Sequence, residues 1–211
     1  MKRGKFIAFE GGEGAGKSTQ ARLLAAALEA RGIACTVTRE PGGTAGAEAI
    51  RALLLGTEGD GWNPRAEALL FAAARSDHVE RLILPAIEAG RWVICDRFVD
   101  SSRAYQGGTG GLSDADVLAL HRVGSQGLLP DLTFLVEVSP ETAQQRTQAR
   151  DGDVADRIGG RDAAYHAGVA AAFARLAVEE PARFARIDGN ADAHSVHAQV
   201  LGALQPVLDA A

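Results

Sequence analysis

The chain has few lysines and almost no cysteine. Lysine occurs at only three positions, Lys2, Lys5 and Lys17, against nineteen arginines. Arginine is therefore the default base, and a lysine within a motif carries more information than an arginine. The two cysteines, Cys35 and Cys95, lack metal-ligand spacing, which argues against a zinc site and a disulfide framework. We interpret both as small buried residues of a protein in a reducing compartment.

An excess of basic charge and long apolar runs are also missing. The formal net charge is -5, so no broad basic surface indicates a nucleic-acid partner. Any anion site must instead be a local concentration of positive groups. No apolar run reaches the length of a membrane helix, and no signal-like segment precedes Phe6. The sequence therefore predicts a cytoplasmic protein without a membrane partner.

What is present is an ordinary globular composition with alternating strand and helix patterns. The chain has 211 residues, of which 46% are apolar and 23% charged, so we expect one domain over residues 1–211. Apolar runs separated by helical stretches predict an α/β fold, a five-stranded parallel sheet with helices on both faces. The predicted strands are about 5–10, 34–39, 92–96, 132–138 and 184–188. The predicted helices are about 17–31, 45–55, 64–90, 113–127, 139–150, 161–179 and 192–208.

A complete P-loop occupies Gly11–Ser18, in the pattern Gly-x-x-x-x-Gly-Lys-Ser. The apolar run Phe6–Phe9 precedes it and the helix-forming stretch Thr19–Arg31 follows it, as the motif requires. The glycines allow main-chain N–H groups to surround an anion, Lys17 adds a full charge, and Ser18 can hold Mg²⁺. An ordinary glycine turn would need neither the lysine nor the hydroxyl. The predicted donor-nucleotide residues are Gly11, Gly12, Glu13, Gly14, Ala15, Gly16, Lys17, Ser18 and Thr19.

Polar residues follow the second and third predicted strands, at the sheet edge where such folds bind ligands. Asp96 ends the run Trp92–Asp96 and is a candidate metal ligand, and Arg97 can fork onto a second phosphate. The alternative is a helix-capping aspartate beside a surface arginine. Arg39 begins a turn that reaches Thr44, and from spacing alone a structural role for this turn is as good an interpretation as a functional one.

Two arginine-containing helical stretches can complete the site. Phe71 and Arg75 are four residues apart and share a helix face, so they can stack on a nucleobase and hydrogen-bond to it. Spacing alone favours the alternative, a core phenylalanine and a solvated arginine. Arg146 and Arg150 share a face before an acidic loop, and Gly14 shows that the P-loop itself lacks an arginine. We therefore expect a short lid at about 146–161 that supplies positive charge. The glycine-rich stretch 107–111 is predicted as a flexible loop.

In these motifs the chain resembles the bacterial type of thymidylate kinase, a family of P-loop nucleoside monophosphate kinases. The matching segments follow the family's order over essentially the whole chain, most weakly after Arg157. The turn at 38–44 and the Tyr-Gln-Gly segment are much more specific than the P-loop. The segments are Phe9–Gln20, Thr38–Thr44, Leu70–Arg75, Trp92–Arg97, Ala104–Gly107 and Leu129–Leu132.

The resemblance implies roles that spacing does not give. Phe71 stacks on thymine and Arg75 hydrogen-bonds its edge, while Arg51 and Arg97 hold the acceptor phosphate. The remaining implied contacts are Ser102, Tyr105 and Gln106 to the substrate, Glu10 to the sugar 3′-hydroxyl and the metal, and Arg150 as the catalytic lid arginine. We also predict that Arg39 contacts the substrate and that Arg146 contacts the donor.

The implied reaction is ATP + dTMP → ADP + dTDP with Mg²⁺, carried out by a homodimer. Lys17, Arg97, Arg150 and Glu10 are the predicted catalytic residues. Two alternatives stay open at this point. One is a kinase for another nucleoside monophosphate, and the other is a non-catalytic P-loop nucleotide-binding module. A GTP switch would need a guanine-reading lysine after position 17, and the chain has none.

Overall fold

The protein folds around a five-stranded parallel sheet, as predicted. The computed structural model describes residues 2–56, 61–151 and 162–210, with the main chain alone at positions 150 and 151. The strand order is β2-β3-β1-β4-β5, so β1 lies at the centre. The strands are Phe6–Glu10 (β1), Cys35–Arg39 (β2), Trp92–Asp96 (β3), Leu132–Glu137 (β4) and Phe184–Asp188 (β5).

The described helices follow the predicted pattern closely. Between Pro64 and Glu88 one helical segment contains a π-helical turn, Val79–Ile83, just before Pro85, whose missing N–H interrupts the regular ladder. Within the described ranges no helix is both long and apolar enough to cross a bilayer. The helices are Lys17–Glu29 (α1), Ala45–Gly56 (α2), Pro64–His78 (α3), Leu84–Glu88 (α4), Val99–Ser102 (α5), Asp114–Ser125 (α6), Pro140–Asp151 (α7), Ala163–Glu179 (α8) and Ala193–Asp209 (α9).

Both faces of the sheet are covered, which explains why its strands are apolar on successive residues. Ile7 and Phe9 of β1 point to the layer formed by α1 and α9. Phe6 and Ala8 point to the opposite layer, where they pack against Val79 and other residues around α4. Alternation with a period of two thus sends neighbouring side chains into two separate cores.

The predicted flexible loop at 107–111 is wrong for residues 107–109, because Arg103–Thr109 is a π-helical segment that continues α5. A Cβ on Gly108 would lie 2.7 Å from the Cβ of Ala172, and one on Gly168 would lie 2.6 Å from Cγ2 of Thr109. The glycines therefore allow α8 to approach this segment closely. The composition suggests flexibility, but tertiary packing decides otherwise.

A buried charge network fixes the same segment to the sheet. Asp100 is fully buried on α5 and accepts hydrogen bonds from Arg103 at 3.1 Å and from Arg183 at 2.6 and 2.9 Å. Arg103 also donates to Asp114, at 2.8 and 2.9 Å, and to Glu180. The network thereby connects α5 to the first residue of α6 and to the residues that precede β5.

Replacing Asp100 with alanine should destabilise the fold strongly, because the buried Arg103 and the partly buried Arg183 would lose a shared, fully buried carboxylate. We expect the free energy of unfolding in urea to fall by about 3–5 kcal/mol. Glu179→Ala is the matched control, because it removes the carboxylate of an exposed ion pair with Arg175, and it should cost less than about 1 kcal/mol. Equal losses in the two variants would contradict a structural role for the network.

Candidate active site

The sheet order places the two main motifs next to each other. Strands β1 and β3 are paired in register, with Phe9 opposite Asp96. Their carboxyl ends therefore meet, and the P-loop that follows β1 lies beside the Asp96–Arg97 turn that follows β3. Two further main-chain bonds hold this edge, from Arg97 N–H to the Phe9 carbonyl and from Glu40 N–H to the Asp96 carbonyl, each 2.9 Å.

The P-loop has the local geometry that its glycines predict. Gly14 and Gly16 have φ values of 69° and 92°, a region that costs other residues conformational energy. Gly16 is the N-cap of α1, so the first N–H groups of that helix face the loop. The Lys17 ammonium donates to the Gly12 carbonyl at 2.6 Å, which folds the side chain back across the loop. Main-chain donors and one ammonium thus converge at the start of α1.

Lys17 lies in an environment that favours an anion. Lys17 is only 6% exposed to solvent. Burial, followed by the nearby Arg97 cation, lowers the pKa of Lys17 from 10.5 to about 8. A bound phosphate would stabilise the charged ammonium and offset both effects. The position therefore suits the polyphosphate of a nucleotide.

Ser18 and Asp96, the predicted metal ligands, are in direct contact. The Ser18 hydroxyl donates to the Asp96 carboxylate, across the junction of α1 and β3. A hydroxyl and a carboxylate oxygen are ligands that Mg²⁺ accepts, with water and phosphate oxygens completing its octahedron. Among the described residues no group of three or more His, Cys, Asp or Glu side chains could hold a metal. The donor set therefore fits a cation shared with phosphate oxygens, rather than an all-protein metal site.

Arg97 is held rigidly at the centre of the site. It has a left-handed backbone, with φ of 70°, which directs its side chain toward the P-loop. Its guanidinium donates to the Gly11 carbonyl at 2.9 Å, to the Ser101 hydroxyl at 3.1 Å and to Glu13 at 2.6 Å. It also lies 5.2 Å from the centroid of the Tyr105 ring. A cation fixed in this way can bind a phosphate without first rearranging.

The predicted contact of Glu10 with sugar and metal needs correction. Glu10 is fully buried and is not among the residues that line the cavity described below. One carboxylate oxygen accepts the N–H groups of Phe98 and Ser101, at 2.8 and 3.0 Å, and the other accepts the Ser101 hydroxyl at 2.6 Å. Because strand residues alternate between faces, the Glu10 side chain points away from the cavity. Its hydrogen bonds to Phe98 and Ser101 stabilise the turn that contains Arg97. Glu13 is the P-loop acid that reaches the cavity.

Arg146 belongs to the P-loop side of the site. It donates to the carbonyls of Gly189 and Ala191, at 2.9 and 3.0 Å, in the loop after β5. Its guanidinium comes within 3.9 Å of the point where a Cβ on Gly16 would lie. The predicted lid begins here, but residues 152–161 and the side chain of Arg150 lie outside the described part of the chain.

These side chains surround one cavity of about 760 Å³. Seven basic residues and three acidic residues line it, although the whole chain has a net charge of -5. The cavity is therefore the local concentration of positive charge that the composition requires. The predicted site residues that line it are Glu13, Gly14, Gly16, Lys17, Ser18, Thr19, Arg39, Arg51, Phe71, Arg75, Asp96, Arg97, Ser102, Tyr105, Gln106 and Arg146.

The opposite side of the cavity from the P-loop combines apolar and cationic groups. Phe71 and Arg75, one helical turn apart on α3, both line it, as their shared helix face predicts. Arg51 on α2 donates to the Pro41 carbonyl at 2.8 Å, and Arg39 donates to Glu48 at 2.9 and 3.2 Å. An aromatic ring with several fixed guanidinium groups suits a second ligand that carries both a base and a phosphate.

Some predicted site residues do not line the cavity, and some residues that line it are outside the predicted set. Gly11, Gly12 and Ala15 belong to the P-loop backbone but do not line the cavity. Glu40 directly follows the second strand, where the sequence predicts chemistry, although it is not in the predicted set. The remaining lining residues outside the predicted set have no motif of their own. They are Arg22, Pro41, Leu55, Phe98 and Ser101.

Comparison with known proteins gives a consistent result. The family model described as thymidylate kinase matches residues 9–200. A thymidylate kinase from Rhizorhabdus wittichii is 56% identical, over 97% of this chain and 99% of its own length. One from Bradyrhizobium diazoefficiens is 48% identical, over 96% of this chain and 90% of its own. The crystal structure of thymidylate kinase from Ehrlichia chaffeensis has a TM-score of 0.77 and 32% identity, over 96% of this chain and 99% of that one.

The buried Glu10 should make stability depend on pH. Burial, and next the charge of Asp100, raise the pKa of Glu10 from 4.5 to about 7. Between these values the folded protein holds a proton that the unfolded chain releases, so the free energy of unfolding falls as pH rises. Each pKa unit corresponds to about 1.4 kcal/mol, and glutamine at position 10 keeps the shape without titrating.

We therefore expect Glu10→Gln to gain stability relative to the unmodified protein by about 2–3 kcal/mol between pH 5 and pH 8. Urea denaturation of both proteins across this range measures the difference, and other titrating groups cancel in it. A difference that stays constant with pH would show that Glu10 is ionised throughout.

Proposed function

Since the chain belongs to the thymidylate kinase family, we propose how its own residues carry out that family's reaction. The chain phosphorylates dTMP to dTDP. ATP as the donor, Mg²⁺ as the cofactor and the individual residue roles are our proposals. The observation that carries them is that one cavity is lined both by the P-loop with the fixed Arg97 and by a second group of arginines around Phe71.

Catalysis by this site is positioning plus electrostatic stabilisation. The acceptor phosphate is already a good nucleophile at neutral pH, so we assign no serine nucleophile and no histidine base. The difficulty is to bring two anions together in line, and fixed cations offset their repulsion. The excess of basic over acidic side chains around the cavity supports this mechanism.

We propose that the P-loop binds the donor. The main-chain N–H groups of Gly11–Ser18 and Thr19 surround the phosphates, Lys17 reaches the outer ones, and Arg146 contributes from α7. Ser18 and Asp96 would hold Mg²⁺, supported by their direct contact. When bound, Mg²⁺ neutralises charge on the transferring phosphoryl group.

We propose that the opposite side of the cavity binds dTMP. Phe71 stacks on thymine and Arg75 hydrogen-bonds its edge, which their adjacent positions on α3 support. Arg51 and Arg97 grip the acceptor phosphate, and Arg97 lies close enough to the P-loop to contact both ligands. Arg39, Ser102, Tyr105 and Gln106 complete the substrate contacts, and each lines the cavity.

We retain three further predictions from the sequence. Arg150 is the catalytic arginine of a lid at about 146–161. Residues 1–211 form one domain, and the enzyme is cytoplasmic. We also propose a homodimer, supported by the exposed apolar side chains of Leu69 on α3 and Val123 on α6, which are 56% and 85% exposed.

A substrate panel tests the proposed donor and acceptor together. ADP release from ATP should depend on dTMP and on Mg²⁺, and kcat/KM for dTMP should exceed that for dCMP or GMP by roughly 100-fold or more, because a site that hydrogen-bonds one base leaves buried donors unpaired with another. A coupled ADP assay measures this. Preference for another monophosphate would contradict the acceptor site, and ATP binding without monophosphate-dependent ADP release would contradict catalysis.

Lys17→Met should fold but lose phosphoryl transfer. Removal of a charge that stabilises the transition state should lower kcat/KM by at least about 100-fold, or about 3 kcal/mol. Lys5→Met is the matched control, because Lys5 makes an exposed 3.5 Å ion pair with Asp131 at the other end of β1. The control should keep activity within about twofold. Near-normal turnover by Lys17→Met, with its fold verified by circular dichroism, would refute the role of Lys17.

A further inference from the structure

A chain of buried polar side chains lies behind Arg75. Arg75, Glu40, His78 and Thr38 are all at most 9% exposed, and His78 is fully buried. They come from β2, from the turn that follows it and from α3, and they form consecutive hydrogen bonds. Burial of four polar groups is costly unless each is paired, so their arrangement is strictly defined.

Arg75 is clamped on one side of its guanidinium. Its Nε donates to Oε2 of Glu40 at 2.6 Å, and its Nη2 donates to the Phe98 carbonyl at 3.2 Å and the Ser102 hydroxyl at 2.9 Å. A guanidinium carries five N–H donors, and these bonds use the three on Nε and Nη2. Within the described residues no hydrogen bond occupies Nη1, and Arg75 lines the cavity. Two donors thus remain for a ligand.

His78 and Thr38 fix the carboxylate that clamps Arg75. Nδ1 of His78 lies 3.0 Å from Oε1 of Glu40, and a carboxylate oxygen only accepts, so Nδ1 carries the proton. The Thr38 hydroxyl lies 2.7 Å from Nε2, so a second hydrogen bond holds the other side of the imidazole ring. Burial opposes ionisation of Glu40, but Arg75 and His78 outweigh it and hold the pKa of Glu40 below its ordinary value. Both carboxylate oxygens of Glu40 are therefore occupied.

The backbone packs closely around these four hydrogen-bonded side chains. The N–H of Glu40 donates to the Asp96 carbonyl at 2.9 Å, which ties the residue to β3. A Cβ on Gly43 would lie 2.5 Å from Oγ1 of Thr38 and 2.6 Å from Nε2 of His78. Glycine at position 43, with φ of 90°, therefore lets the turn close over the Thr38–His78 hydrogen bond.

We propose that Glu40, oriented by His78, is a positioning residue that fixes Arg75 so that its two free donors meet a carbonyl oxygen of the nucleobase. This proposal rests on the proposed function, in which Arg75 faces the base. Fixed donors discriminate between pyrimidines, because thymine presents an acceptor at position 4 and cytosine presents an amino donor there. Glu40 and His78 would thus set base selectivity through the position of Arg75.

Steady-state kinetics on Glu40→Gln tests the proposal. We expect KM for dTMP to rise by about 10- to 50-fold, because the charge-assisted hydrogen bond that orients Arg75 is weakened. The KM for ATP should stay within about twofold of its original value. Selectivity for dTMP over dCMP should fall by at least about fivefold. Glu179→Gln, which breaks the exposed pair with Arg175, is the control that should change none of these values.

Two variants of His78 keep the test valid if Glu40→Gln does not fold. Asparagine at position 78 can donate from the place of Nδ1, whereas alanine cannot. We expect His78→Ala to raise KM for dTMP by about 3- to 10-fold, and His78→Asn to recover most of that loss.

The measurements distinguish a failure of the positioning role of Glu40 from a failure of the proposed function. If folded variants keep the KM and the selectivity for dTMP, or if their KM for ATP rises in parallel, the positioning role of Glu40 is overturned. In that case normal dTMP turnover by the unmodified enzyme still supports the proposed function. An unmodified enzyme that does not turn over dTMP would overturn the proposed function itself.

Discussion

The parallel pairing of β1 with β3 is the constraint on which the site depends. It places Phe9 beside Asp96, so the P-loop and the Asp96–Arg97 turn leave the sheet at the same edge. The contact of Ser18 with Asp96 and the bond from Arg97 to the Gly11 carbonyl follow from this register. A shift of one residue would reverse the side-chain directions on one strand and separate the two halves of the site.

The second requirement is to keep several cations close together without a collapse of the site. The structure meets it by pairing guanidinium groups with carboxylates that lie behind or beside them, as in Arg97 with Glu13, Arg75 with Glu40 and Arg39 with Glu48. Each pairing uses some donors and leaves others directed into the cavity. Such fixed dipoles and charges need little reorganisation when two phosphates approach, and this pre-arrangement is the source of electrostatic catalysis.

The sequence predicts the framework well because its signals are local. The apolar runs and the helical periodicity predict the sheet and the helices, and the P-loop spacing predicts the glycine-rich turn between β1 and α1. Prediction from the sequence fails where contacts between distant residues determine the local structure. Glycines at 107 and 108 suggested a flexible loop, but Gly108 instead allows a close helix contact, and Glu10 turns away from the cavity because of strand alternation. The bond between Glu40 and His78 joins residues 38 positions apart, and a single sequence carries no signal for it.

The most direct measurement is a crystal structure with dTMP, Mg²⁺ and a non-hydrolysable ATP analogue bound together. The γ-phosphate should lie in the P-loop at Lys17, and a dTMP phosphate oxygen should lie within about 3.5 Å of the γ-phosphorus, in line for transfer and held by Arg97. The thymine ring should stack on Phe71 with a carbonyl oxygen at Nη1 of Arg75. A dTMP molecule bound elsewhere, with its phosphate unable to approach the P-loop, would contradict the central claim that one cavity brings the two anions together.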